Sequence, residues 1–198
     1  MKKVSGVALL LIVVGLGFNV WVRWGHVQTE RTLPKGTSIM HAEEITLTSS
    51  AFTQGGPIPA RYTCDDTHPA AEGISPPLTI GPVPAGTKSL ALIMHDPDAP
   101  MKEGWTHWVK WNIPQDTKVI REGEEPAGIS GKGSGGELTY KGPCPPEGTH
   151  RYFFMVYALD TELSLASGSN KTELEWAMQG HTIGKGELVG LYSRGQKE

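Results

Sequence analysis

The sequence has no G-x-S-x-G elbow, no H-E-x-x-H pair and no G-x-x-x-x-G-K-[ST] loop. The first two are how many hydrolases and zinc proteases hold a nucleophile or a metal, and the third cradles nucleotide phosphates. Their absence removes the enzyme classes that a short motif would announce. Cysteine is scarce, with two in 198 residues, Cys64 and Cys144. Neither has a second cysteine nearby, which argues against a zinc site. The pair is compatible with one disulfide or with two buried thiols. An excess of basic charge is also missing. Residues 1–40 hold five of the 18 basic groups and one of the 21 acidic ones. The remainder therefore carries 13 against 20, a formal charge of about −7. Nucleic acid is not the expected partner of such a surface. Internal repeats are absent too.

Twenty-five glycines and 15 prolines are present, with 38% apolar residues. Short apolar runs between frequent turns favour an all-β domain with few short helices. The length suits one such domain. The N-terminus stands apart. Lys2 and Lys3 precede an apolar run from Val4 to Val22, and Trp21 and Trp24 follow where an interfacial belt would lie. About 20 such residues span a bilayer. No small-x-small cleavage site follows Phe18, so residues 1–24 read as an uncleaved transmembrane anchor rather than a cleaved signal segment. The flanking lysines would hold the N-terminus in the cytoplasm and the C-terminal domain outside. A secreted product after cleavage is the alternative. Residues 25–44 read as a polar linker, and 45–198 as the domain.

Within the domain, "EITLTSSAF" opens as a one-sided strand through Ile45 and Leu47. "SLALIMHD" is a buried strand that delivers His95 and Asp96 at its end. In "HWVKWNI", strict alternation would set His107, Val109, Trp111 and Ile113 on one face and Lys110 and Asn112 on the other. "HRYFFMVYALD" is apolar on both faces, as in the centre of a covered sheet. "NKTELEWAMQGH" is helical, with capping-box spacing from Thr172 to Glu175 and a stop at Gly180. "GELVGLY" is a last short strand. The long Gly/Pro loops between them are of the kind that serve sites.

Asp96, His107, His150 and Tyr152 sit at strand ends, and His150 and Tyr152 share a face. If the strands are neighbours, four polar groups converge. Such a set fits a 2-His-1-carboxylate metal triad. It also fits a His–Asp acid/base couple. A third option is an anion pocket, with Asp96 fixing a histidine tautomer while imidazole N–H groups and the Tyr152 hydroxyl donate. The plain alternative is strand-end residues satisfied by backbone.

"DPDAP", "GWTHWVKWNIP", "GPCPPEGTHRYFFMVYALD" and "GHTIGKGELVGLY", in this order, resemble the phosphatidylethanolamine-binding protein family, closest to its bacterial and archaeal, Raf-kinase-inhibitor-like branch. The resemblance runs from about Ile45 to Arg194. It implies a β-sandwich with a large central antiparallel sheet and a small pocket for phosphate groups, including a phospholipid headgroup. No cofactor and no enzymatic activity are implied. Carried onto this sequence, the motifs nominate Asp96, Pro100, Trp105, His107, Gly142, Pro143, His150 and Tyr152 as ligand-binding residues. The pocket would gain affinity as pH falls toward about 6.5, where an imidazole gains its second donor. Asp98 reads as a turn residue, Trp108 and Trp111 as core, His95 as solvated and His181 as a pocket-edge candidate. Family members are also associated with serine protease inhibition and signalling, so a protease or signalling protein is an alternative partner. A metal-dependent hydrolase is a more remote one. "YTCDDTHPAAEGISPPL" is longer than the family pattern, and "GKGSGGELTYKG" lacks an expected asparagine; both would reshape the pocket rim.

Overall fold

The computed structural model describes residues 42–65 and 74–195. The anchor expected at 1–24 and most of the linker lie outside the described residues. Among the described residues no helix is long and apolar enough to cross a membrane.

Ten strands form in chain order: β1 (Glu43–Glu44), β2 (Leu47–Thr48), β3 (Gly56–Pro57), β4 (Leu78–Ile80), β5 (Ser89–Asp96), β6 (Trp105–Pro114), β7 (Val119–Ile120), β8 (Ile129–Ser130), β9 (His150–Leu159) and β10 (Thr182–Tyr192). A 3₁₀ turn covers Ala60–Tyr62, and the one α-helix of the described residues, α1, covers Lys171–Ala177. The large sheet runs β1-β10-β9-β5-β6-β8, with β3 also on β10; the small one runs β2-β4-β7. The central five strands pair antiparallel, but β1 and β3 both pair parallel with β10. The large sheet is therefore mixed, a correction to the antiparallel sheet expected. The segment read as one opening strand also divides, since β1 joins the large sheet and β2 the small one.

β10 begins at Thr182, ahead of the expected "GELVGLY", because residues 182–185 also pair with β9, and glycines along it let neighbouring chain approach. A Cβ on Gly186 would collide with the Ile45 carbonyl, and one on Gly190 with the Ile58 side chain. Both positions admit crossing chain only as glycine.

One core lies between the two sheets. Leu47, Leu78, Ile80 and Ile120 of the small sheet pack with Leu90, Leu92, Met94, Phe154 and Val156 of the large one. The opposite face buries Ala91, Ile93, Val109 and Trp111 under Leu174 and Met178. The helix is held by a capping box, but from Asn170 rather than Thr172. Asn170 Oδ1 accepts from Glu173 N at 3.0 Å, and Glu173 Oε2 accepts from Asn170 N at 2.8 Å.

The alternation expected of β6 breaks at both ends. Its register against β5 shifts between Met94 and His95 and again between Leu90 and Leu92. At the second shift Asn112 adopts φ 51°. Its side chain donates to Leu163 O at 3.0 Å and accepts from Leu163 N at 2.8 Å. Ile113 is thereby turned into the inter-sheet core, away from Val109 and Trp111. Two bulges thus correct the expectation that these residues and His107 share one face.

Candidate functional site

The first bulge places His107. Asp96 pairs with Trp105, His95 with Thr106, and Met94 with Trp108, so His107 is the extra residue. Its ring packs edge-on against Tyr152 of β9, with centroids 5.3 Å apart. Tyr152 belongs to the inter-sheet core. A straight strand would have carried the imidazole to the helix side instead.

The turn from β5 to β6 is organised by Asp96. Its Oδ1 accepts from Asp98 N at 2.8 Å and from Ala99 N at 3.1 Å. Its Oδ2 accepts from His150 Nδ1 at 2.7 Å. One carboxylate thus shapes the hairpin and fixes the tautomer of a histidine on the next strand. Asp98 does more than turn the chain. Arg151 clamps it with Nε at 2.8 Å and Nη2 at 2.7 Å. This hydrogen-bonded guanidinium holds the Asp98 carboxyl down at about 2. Gly104, at φ 67°, closes the hairpin where a Cβ would strike the Asp96 carbonyl.

The far wall is the loop after β8. His107 Nδ1 donates to Lys141 O at 2.8 Å, and Lys141 N donates back to His107 O at 3.0 Å. Cys144 on the same loop forms a disulfide with Cys64, their Cα atoms 5.4 Å apart. Cys64 N also donates to Pro143 O at 3.0 Å. The open choice between a disulfide and two thiols resolves to the disulfide.

These walls enclose a cavity of about 240 Å³ lined by Asp96, Ala99, Pro100, Met101, Trp105, His107, Lys141, Gly142, Cys144, Pro145, Pro146 and His150. Six of the eight nominated residues are on its wall. Tyr152 is fully buried beside both imidazoles. Pro143 is represented by its carbonyl, which ties the wall to Cys64. Ala99, Met101, Lys141, Cys144, Pro145 and Pro146 were not anticipated. All of them flank motif residues, but only the capped turn and the bridged loop show that they face inward. His181 lies elsewhere, its Nδ1 2.8 Å from Asp160 Oδ1. His95 is half-buried, with Nδ1 3.3 Å from Thr106 Oγ1, and burial lowers its pKa. It is not the solvated residue expected.

The electrostatics of the floor are unusual. His107 Nε2 is buried without a hydrogen-bond partner among the described residues, whereas the buried Tyr152 hydroxyl lies beside the Asp96 carboxylate, outside good hydrogen-bond geometry but close enough to feel it. Burial pushes the His107 pKa down to about 4, against the opposing pull of its Lys141 hydrogen bond and of Asp96. Burial, and then the Asp96 charge, raises that of Tyr152. With Nδ1–H committed to a carbonyl, the neutral His107 ring offers a lone pair at Nε2, not the donor expected of it. Among the described residues no group of three or more His, Cys, Asp or Glu is placed to hold a metal ion.

The family model for phosphatidylethanolamine-binding protein matches residues 48–193. The chain belongs to this family. A UPF0098 protein of Methanothermobacter thermautotrophicus is 50% identical over 155 residues, which is 75% of this chain and 99% of the relative. A phosphatidylethanolamine-binding protein homologue from Chlamydia trachomatis has a solved structure with TM-score 0.71 and 41% identity, covering 77% of this chain and 99% of its own. The structure of E. coli YbcL, described as a member of the mammalian family, gives TM-score 0.67 and 30% identity over 75% and 98% of the two chains. This phosphatidylethanolamine-binding protein relative is therefore of the bacterial and archaeal type that its motifs resemble.

Proposed function

We propose that the domain is a binding module that takes a phosphate group, free or as a phospholipid headgroup, in the cavity between the β5–β6 turn and the bridged loop. The observation that carries this reading is the buried, unpartnered Nε2 of His107 on the cavity wall, beside an Asp96–His150 couple. Unpaired buried polar groups are costly, and a ligand that pairs them recovers that cost. Family membership supports the same reading. Pro100, Met101, Trp105, Pro145 and Pro146 give an apolar mouth. Each imidazole is held through Nδ1 by a fixed acceptor, which sets its ring orientation. Residues 1–24 would tether this module to a membrane with the domain outside the cytoplasm.

Calorimetric titration of phosphoethanolamine into the full-length chain tests the proposal. Hydrogen bonds to a charged ligand contribute about 1.5–3 kcal/mol, so His107→Ala or His150→Ala should each weaken binding by about ten- to a hundredfold. His95→Ala should leave it within about twofold. Equal affinities of wild type and the His107/His150 double variant would overturn the binding reading.

A further inference from the structure

We propose that the Cys64–Cys144 bond is a redox switch on the cavity: it holds the far wall in place in the oxidised chain, and in the dithiol chain that wall comes loose and ligand affinity falls. This rests on the anion-binding reading and adds a control to it. The wall is held unevenly. Up to Pro143 the loop after β8 is tied repeatedly. Tyr140 N donates to Glu125 Oε1 at 2.9 Å, and the Tyr140 hydroxyl donates to Tyr62 O at 2.7 Å. Lys141 and His107 are bonded in both directions, and Pro143 O accepts from Cys64 N. Beyond Pro143 these ties stop. Residues 144–149 make no hydrogen bond among the described residues. Pro145 and Pro146 have no N–H to offer. Yet Cys144, Pro145 and Pro146 all line the cavity. Apart from the packing of buried Pro145, the covalent bond is what fastens this stretch to the fold.

The two ends of the bond differ. Cys64 sits on the fixed side. Thr63 donates to Ala60 O through N at 3.0 Å and Oγ1 at 2.7 Å, and Asp65 Oδ2 accepts from the Tyr192 hydroxyl at 2.7 Å. Cys144 is exposed, whereas Cys64 is half-buried, so a reagent arriving from solvent meets Cys144 first. The dithiol chain closes the bond by passing two electrons and two protons to a disulfide donor, whose own S–S bond breaks into two thiols. A thiol reductant runs the exchange backwards. Its sulfur attacks Cys144 Sγ, Cys64 leaves as a thiol, and a second thiol frees Cys144 and carries away the new disulfide. A reducing compartment keeps such a pair as thiols. The wall is therefore completed only where the surroundings are oxidising. In the dithiol chain residues 144–149 must be ordered as ligand binds, and affinity falls by the fraction of time the wall is in place. His107 keeps its Lys141 bonds in both states, so the floor of the cavity does not change.

Calorimetric titration of phosphoethanolamine into the full-length chain, oxidised and then reduced with dithiothreitol, tests this, with both thiols counted after reduction. The oxidised chain should bind about tenfold or more tighter, and oxidised glutathione should restore the affinity of the reduced one. By linkage, saturating phosphoethanolamine should shift the glutathione equilibrium toward the disulfide by the same factor. A glutamate-specific protease should cut after exposed Glu147 faster in the reduced chain. In a Cys64→Ser/Cys144→Ser chain, reductant should alter neither affinity nor cleavage. Equal affinity in the two states would overturn the switch and leave anion binding standing. Cleavage of the reduced chain at many sites, rather than at Glu147, would mean that the whole fold opens, and would overturn it as well. Binding in neither state would remove the anion reading and the switch with it.

Discussion

His107 shows how one contact decides a residue's chemistry. Its folded pKa of about 4 lies below the ordinary value of 6.5. Between these values an unfolded chain binds a proton at this position that the folded chain refuses. Stability should therefore fall as pH drops from about 6.5 to 4, by up to about 3 kcal/mol, and this group contributes no further slope outside that window. Urea unfolding at pH 7 and pH 4.5 checks it: His107→Gln should lose less stability between the two than wild type. The same residue shows the limit of what its motif conveys. The motif nominated the imidazole, and the structure sets it on the cavity wall. Which nitrogen carries the hydrogen depends on the Lys141 carbonyl, 34 positions away, and nothing in the sequence places that carbonyl.

At the scale of elements, legibility followed how local the cause is. β5 and β9 match the apolar runs "SLALIMHD" and "HRYFFMVYAL", because β5 is buried almost throughout and β9 buries one face and half-buries the other. β6 does not obey its pattern, since each bulge exchanges the faces beyond it and leaves no compositional mark except Asn112. That residue combines a positive φ with two hydrogen bonds to Leu163. Asn112→Ala should lower stability by about 1–3 kcal/mol in denaturant unfolding, by removing both bonds and straining the backbone. A straight β6 would give no such loss. The helix offers a parallel contrast. Asn170→Ala should cost about 0.5–2 kcal/mol, whereas Thr172→Ala, outside the capping box, should cost little. Asn170 was legible in principle, with Glu173 three residues on, but Thr172 and Glu175 offer the same spacing. Only the helix start chooses between them.

For the whole molecule, residues from Ile39 onward form one compact unit. A chain beginning there should fold to a β-rich domain by circular dichroism and unfold cooperatively. Its layered sheets were legible as a class from short runs and frequent turns. The parallel pairing of β1 and β3 was not, because two-residue strands carry no periodicity, and the glycines that admit them look like loop. The bond between Cys64 and Cys144 was likewise undecided at sequence level, since partners 80 positions apart have no visible distance. Replacing both cysteines by serine should lower stability by about 2–5 kcal/mol, because so long a loop is costly to close.

That bond also turns the middle of the chain into a covalent ring enclosing β4, β5, β6, β7 and β8, from which β9, α1 and β10 emerge as a tail. A cut in the backbone at exposed Lys132, inside the ring, opens the loop without dividing the molecule. Trypsin-nicked protein should run as a single band on a non-reducing gel and as two pieces once the thiols are reduced.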